Sequence, residues 1–257
     1  QPNFGLITNI GKAHLEGFGG EEGVKKGKSE LYKYLVKTDG TIFCNHADDL
    51  LLSLLPPNAK TIVYEVIHQL QIKQSSPTIT YSYKGKEVAT QLFGVYNLPN
   101  IAAAIAVGSY FGISDEQIND AISSYSPTNN RSEITSVNGN EIIKDAYNAN
   151  PSSLLASLHS FFGQKNHENQ IIIIGDMLEL GEASEEEHRQ ILTYTAPFKL
   201  FKKIFIGPRF YQFKDQFEGE FYENVTKACE HVHLSSYTDK QILLKGSRGI
   251  AVEKILN

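Results

Sequence analysis

The chain has 257 residues, 41% hydrophobic and 21% charged, and its 24 Lys+Arg against 29 Asp+Glu leave a formal net charge of −5. That composition is globular, and the length suits one large or two medium domains. The acidic balance excludes a broad basic face for nucleic acid, and no apolar run approaches the ~20 residues that a membrane-spanning helix needs. Two cysteines, Cys44 and Cys229, are too few and too far apart for a disulfide framework or a zinc site. They read as thiols in a reducing cytosol. Gln1-Pro2-Asn3-Phe4 enters a strand-like segment directly, without a secretory signal. A first residue other than Met, so close to a strand, suggests a protein whose beginning is missing.

In chain order, strands are expected at Phe4–Asn9, Thr41–Asn45, Thr61–Val66, Ile171–Gly175, Lys203–Gly207 and Gln241–Leu244. Helices are expected at Glu21–Leu35, Asn97–Phe111, Pro151–Phe162 and Glu185–Ala196. The alternation is that of an α/β fold. Two hairpins interrupt it. Thr78–Tyr83 and Glu87–Leu92 flank Lys84-Gly85-Lys86, and Glu133–Val137 and Glu141–Lys144 flank Asn138-Gly139-Asn140. Ser114–Tyr125 reads as a helix opened by a capping box of Ser114 with Gln117. The polar Ser126-Pro127-Thr128-Asn129-Asn130 stretch after it is the best linker, so domains are expected at 1–127 and 128–257.

Several polar clusters follow strands, where open α/β sheets bind ligands. His14 lies in Thr8-Asn9-Ile10-Gly11-Lys12-Ala13-His14 after the first strand. Gly27-Lys28-Ser29 imitates a phosphate-binding loop, but that motif needs Gly where Glu22 stands, and the register puts Lys28 inside a helix. Asn97 and Asn100 share a helical face and suit the edge of a planar base, although Asn97 also suits a helix cap. Asp145, delivered by a strand, suits ribose hydroxyls, and Arg131 suits phosphate. On pattern alone, an Asn-rich turn with a helix cap accounts better for Asn148 and Asn150. Glu179 belongs to Gly175-Asp176-Met177-Leu178-Glu179-Leu180-Gly181, with His188 on the next helix; these two also suit a helix start. Lys245-Gly246-Ser247-Arg248 has the make-up of a carboxylate or phosphate receptor.

Taken in order, these segments resemble the Mur ligase family of ATP-dependent amide-forming enzymes. The matching residues are Ile7-Thr8-Asn9-Ile10, Ala13-His14-Leu15-Glu16-Gly17-Phe18-Gly19, Lys28 with Glu30, and Asn97 with Asn100. They continue with Asp145-Ala146-Tyr147-Asn148-Ala149-Asn150-Pro151, the Asp176–Gly181 segment and Lys245-Gly246-Ser247-Arg248. The resemblance covers nearly the whole chain. It departs where the family often has His before the first Asn of the adenine motif, since Tyr96 stands there, and where Gly11-Lys12 follow Asn9.

The resemblance implies the latter part of a central ATPase domain followed by a Rossmann-like C-terminal domain. It implies a C-terminal fragment, inactive alone, that lacks the family's upstream P-loop and UDP-sugar-binding domain. The Tyr-Asn-Ala-Asn and Glu-Leu-Gly elements point to the branch that joins D-Ala-D-Ala to UDP-MurNAc-tripeptide through an acyl phosphate, using ATP and Mg²⁺. By the same resemblance His14 and a carbamylated Lys28 are metal ligands, and His14, Lys28 and Arg131 are catalytic. Asn97, Asn100, Asn148, Asp145 and Arg131 hold the nucleotide, and Glu179, Lys245, Ser247 and Arg248 hold the incoming dipeptide. The implied protein is cytoplasmic and monomeric, with small-molecule substrates, no nucleic-acid partner and no membrane insertion. The competing expectations are a non-catalytic scaffold or regulatory remnant of the fold, and a related amide ligase such as folylpolyglutamate synthase.

Overall fold

The computed structural model describes residues 1–163 and 167–256. The chain divides into two compact units, one of Gln1–Thr90 with Val95–Tyr125 and one of Gln91–Gly94 with Ser126–Asn257. In the first unit, β1 (Phe4–Leu6), β2 (Thr41–Asn45) and β3 (Lys60–Tyr64) form a parallel three-stranded sheet in that order. Between β1 and β2 run the short helix α1 (Leu15–Phe18) and the long α2 (Glu21–Lys37). Tyr32 and Leu35 of α2 pack with Ile7, Ile42, Cys44 and Leu51, the last in α3 (Asp49–Ser53). The expected first strand shortens to three residues, because ladder pairing with β2 ends at Leu6.

After β3 come α4 (Val66–Gln69) and β4 (Gln71–Gln74), then β5 (Thr78–Tyr83) and β6 (Lys86–Phe93), which make a separate three-stranded sheet in the order β4-β5-β6. Lys84 at φ 48° and Gly85 at φ 80° turn β5 into β6, the positive-φ pair that a tight hairpin requires. β5 buries Ile79, Tyr81 and Tyr83, every second residue. The exposed β4 reads Gln-Ile-Lys-Gln and gives no strand signal in the sequence. Helices α5 (Leu98–Tyr110) and α6 (Asp115–Ser124) complete the unit, the latter opened by the Ser114–Gln117 capping box.

The second unit is built on a six-stranded sheet in the order β11-β10-β9-β12-β8-β7. Its strands are β7 (Glu133–Val137), β8 (Asn140–Lys144), β9 (Gln170–Gly175), β10 (Lys202–Ile206), β11 (Glu220–Tyr222) and β12 (Gln241–Lys245). All pairings are parallel except the β7–β8 hairpin. Helices α7 (Pro151–Phe162), α8 (Ser184–Thr195), α9 (Pro208–Tyr211) and α10 (Val225–His231) lie between the strands. Every residue of β9 is buried, as a central parallel strand must be when both faces are covered. Because β12, last in sequence, inserts between β8 and β9, the C-terminal ends of three sequence-distant strands lie side by side. That is where a parallel sheet opens a crevice. Neither β11 nor α10 is expected from the sequence; β11 has only three half-buried residues at the sheet edge. Both cysteines are free, and no helix among the described residues is long and apolar enough to cross a membrane.

Asn140 ties the hairpin to the sheet. Its buried amide donates to the Tyr237 carbonyl at 2.7 Å, and its Oδ1 accepts from the Lys240 amide at 3.0 Å. Replacement by Ala leaves both backbone groups without that partner, so Asn140→Ala is expected to cost about 2–3 kcal/mol in urea denaturation. An unchanged midpoint would show that water replaces the amide there.

Candidate functional site

In the second unit the site is assembled from the loops after β8, β12 and β9. Asp145, one residue beyond β8, donates its backbone N–H to Leu244 of β12 at 2.9 Å. Its carboxylate accepts from the Lys245 ammonium at 2.6 Å and the Ser157 hydroxyl at 2.7 Å, both on Oδ2, and from the Ser132 amide at 3.2 Å on Oδ1. The pair is buried, with Lys245 3% and Asp145 13% exposed. Of the three polar residues expected to receive the dipeptide from the Lys-Gly-Ser-Arg turn, Lys245 is therefore engaged inside the fold. Ser247 is too. It accepts from the Leu178 amide at 2.9 Å and donates to the Ala149 carbonyl at 3.2 Å, and its own amide donates to the Asp176 carbonyl at 3.1 Å. One buried serine thus joins all three loops. Gly246 belongs here because a Cβ would stand 2.9 Å from the Cα of Gly175.

Arg131, Tyr147 and Arg248 stand at the surface of the same construction. The Arg131 guanidinium lies 3.7 Å from the Tyr147 ring centroid and that of Arg248 lies 5.7 Å from it. Neither arginine makes an ion pair among the described residues. Asn148 is exposed, and Asn150 caps α7 in a capping box with Ser153. Glu179 is exposed, at φ 63°. Ser132 and Ser157 carry no site signal of their own in the sequence, because the carboxylate that each meets, Asp145, is thirteen and twelve residues away.

Asp176 and His188 lie fully buried beneath the Met177–Gly181 loop. Asp176 accepts from the amides of Arg209 at 2.8 Å and Phe210 at 2.9 Å. Gly207 makes room for it: at φ 125°, a Cβ there would stand 2.3 Å from the Asp176 carboxyl carbon. His188 Nε2 accepts from the Met177 amide at 3.0 Å, and Nδ1 donates to the Ser184 carbonyl at 2.6 Å. A ring nitrogen that accepts an amide proton carries none itself, so the 3.7 Å approach of Nε2 to Asp176 is not an ion pair. Burial pushes the Asp176 pKa up to about 6 despite the two amide bonds, and burial pushes the His188 pKa down to about 4.

In the first unit, His14 sits at φ 56° as the N-cap residue of α1, with its side chain exposed. Lys28 lies within α2, not in a phosphate-binding loop. Its ammonium donates to the Asn9 carbonyl at 2.8 Å, and burial lowers its pKa below the ordinary lysine value. Two glycines seat α1 against α2. A Cβ at Gly23 would stand 1.7 Å from the Phe18 carbonyl oxygen, and one at Gly27 would stand 2.5 Å from the Phe18 ring. The side chain of Asn97 forms no cap; it accepts from the Asn100 amide at 3.0 Å.

No group of three His, Cys, Asp or Glu side chains among the described residues is placed to hold a metal ion. Mg²⁺ commonly takes only one or two protein ligands, completing its shell with phosphate and water. His14 and Lys28 are the residues that the sequence expects to meet that lighter requirement.

Residues 1–108 match the Mur ligase middle domain, and residues 130–248 match the Mur ligase, glutamate ligase domain. The UDP-N-acetylmuramoyl-tripeptide--D-alanyl-D-alanine ligase of Bacillus subtilis is 30% identical over 99% of this chain and 58% of its own length. A crystal structure of MurF from Acinetobacter baumannii superposes with TM-score 0.80 at 23% identity, covering all of this chain and 59% of that one. MurF ligase from Thermotoga maritima in complex with ADP superposes with TM-score 0.79 at 20% identity, covering 99% of this chain and 61% of that one. The chain thus spans about three-fifths of the length of these relatives.

Acid stability tests the buried pair. Asp176 takes up its proton more readily folded than unfolded, so acidification from pH 6 towards 3.8 favours the folded chain through Asp176. His188 takes up its proton less readily folded, so its contribution is present above pH 6.5 and is lost as the pH falls towards 4. The two effects oppose each other. Relative to the unsubstituted chain, His188→Gln is expected to gain about 2–3 kcal/mol of unfolding free energy across the fall from pH 6 to pH 4, and Asp176→Asn to lose a similar amount. Parallel pH dependences of both variants in urea denaturation would contradict the opposed titration.

Proposed function

The chain belongs to the Mur ligase family, and on that premise we propose that it is the part of a D-Ala-D-Ala-adding ligase of peptidoglycan precursor synthesis that runs from the His14 motif to the C-terminal domain. The observation that carries the reading is the 30% identity to the Bacillus subtilis ligase along 99% of the chain. In the proposed reaction the terminal carboxylate of UDP-MurNAc-tripeptide attacks the γ-phosphorus of ATP, giving an acyl phosphate and ADP. The free amine of D-Ala-D-Ala then attacks the acyl carbon, and the tetrahedral intermediate expels phosphate as the amide forms. Activation is needed because a carboxylate is a poor electrophile. Positioning and charge neutralisation supply most of the catalysis in such a transfer. The domain limits proposed are 1–127 and 128–257, and the setting proposed is the cytoplasm, with the protein a monomer.

Mg²⁺, when bound, neutralises phosphate charge as the transfer proceeds. His14 and Lys28 are proposed as its protein ligands. A lysine reacts with CO₂ only as the neutral amine, forming a C–N bond and losing a proton, and the lowered pKa of Lys28 favours that form. The product is an anion with two oxygen donors, which suits a hard cation. Asn97 and Asn100, already paired side by side, are proposed to meet the adenine edge. Asn148 is proposed to stand near the adenine as well. Asp145 reaches the ribose in this reading only by sharing a carboxylate that already accepts three hydrogen bonds. Arg131 supplies positive charge to a phosphate oxygen. Within the Lys-Gly-Ser-Arg turn, Arg248 is the cation offered outward, while Lys245 and Ser247 hold the turn in place and Glu179 lies near the incoming amine.

The native gene product is expected to release phosphate only when UDP-MurNAc-tripeptide, D-Ala-D-Ala and Mg-ATP are all present. Lys28→Ala is expected to lower kcat by about 10²-fold or more, a loss typical of removing one organised electrostatic group. Silence with every peptidoglycan precursor would overturn the reading in favour of a non-catalytic remnant. Turnover with glutamate on a folate would transfer it to folylpolyglutamate synthesis.

A further inference from the structure

Arg131 and Arg248 come from near opposite ends of the second unit's main segment, Ser126–Asn257, to one exposed aromatic ring, and each is fixed by the residue beside it. Arg131 stands between Asn130, whose carbonyl accepts the Tyr147 amide at 3.0 Å, and Ser132, whose amide donates to Asp145 at 3.2 Å. Asn130 at φ 57° and Ser132 at φ 52° both occupy the left-handed region. Such backbone is costly for residues with a Cβ and persists only where the surroundings enforce it. Arg248 follows Ser247, the buried serine that joins the three loops. Tyr147, whose ring both guanidinium groups approach, is 37% exposed and lies in the loop to which both neighbours are tied. Two guanidinium groups within 6 Å of one ring centroid, neither in an ion pair among the described residues, are close enough to repel each other. The ring face attracts both cations. An anion placed between them removes the repulsion, and a planar guanidinium offers paired N–H donors to phosphate oxygens.

We propose that Tyr147 is a positioning residue that gathers Arg131 and Arg248 into one receptor for a single phosphoryl dianion. This deepens the reading of Arg131 given above and rests on it, while moving Arg248 from the dipeptide carboxylate to the phosphoryl group. Tyr147 itself touches neither substrate nor reacting atoms; it acts through the two arginines.

The chain contains only four arginines, Arg131, Arg189, Arg209 and Arg248, so its arginine Nε–Hε resonances form a small, assignable set in a ¹⁵N correlation spectrum. Titration with sodium phosphate is expected to shift the Arg131 and Arg248 resonances together, with one common dissociation constant. Tyr147→Leu is expected to weaken that constant about tenfold, and Tyr147→Phe, which keeps the ring, to stay within about twofold of the unsubstituted chain. Arg248→Met, a surface change, is expected to weaken the response of Arg131 about tenfold, which keeps the test available if Tyr147→Leu unfolds. Titration with D-Ala-D-Ala is expected to leave both resonances in place. A phosphate shift confined to one arginine, an unchanged constant in Arg248→Met or a folded Tyr147→Leu, or a D-Ala-D-Ala shift of Arg248 would each overturn the proposal. An inactive ligase with an intact phosphate response refutes the function alone, whereas an active ligase without the paired response refutes the receptor alone.

Discussion

The buried ion pair between Asp145 and Lys245 is the constraint on which the second unit's site depends. The two residues are one hundred apart in sequence and end adjacent strands. Burying both charges costs desolvation that their attraction recovers only if the remaining hydrogen-bonding capacity is used. Here it is used. Ser157 brings in α7 and the Ser132 amide brings in the loop ahead of β7, so one carboxylate registers three segments against β12. The pair contributes less through net stability than through the penalty for any arrangement that separates its charges.

That fixed point lets polar loops gather at the end of a sheet whose interior is largely isoleucine and leucine. The loops that leave β8 and β9 bury Ala146, Ala149, Met177 and Leu180, and their peptide groups need partners. Ser247 and His188 supply them by receiving backbone amides that no strand or helix would satisfy. Neutral histidine suits this task, since one ring nitrogen accepts while the other donates to the helix below. The cost is a carboxylate, Asp176, kept out of water and held by the first amides of α9. Polar side chains that first look like substrate ligands are here the internal fastening of the surface that carries the outward-facing arginines.

Much of the frame was legible from residue order. Ile171–Gly175 announced a strand, Pro151 and Asn150 announced the start of α7, and the Ser114–Gln117 box announced α6. These signals are local, made by neighbours within four residues. β4 escaped because its side chains are polar and exposed, and β11 because three residues set no period. In the site, the strand-end placement of Asp145, Glu179 and Lys245 was readable, but what each side chain touches was not. The spacing of Lys245 from Asp145 follows from the insertion of β12 between β8 and β9, and the stacking of two arginines on Tyr147 from loops that meet only in three dimensions. Asn97 illustrates the reverse error: local pattern suggested a cap, while the folded side chain turns to Asn100 instead.

The two glycines of α2 show how the first unit stores its geometry. Glycine in a helix interior is ordinarily a weakness, about 1 kcal/mol worse than alanine, and an invitation to stabilise by replacement. At Gly23 and Gly27 the missing side chains are the socket for Phe18, the last residue of the helix that His14 opens. Lys28 immediately follows that socket on the same helix. The bearing of an exposed imidazole relative to a half-buried amine is therefore set by two absent methyl groups. A helix made stronger by the ordinary rules of propensity would be a helix that no longer aims its lysine.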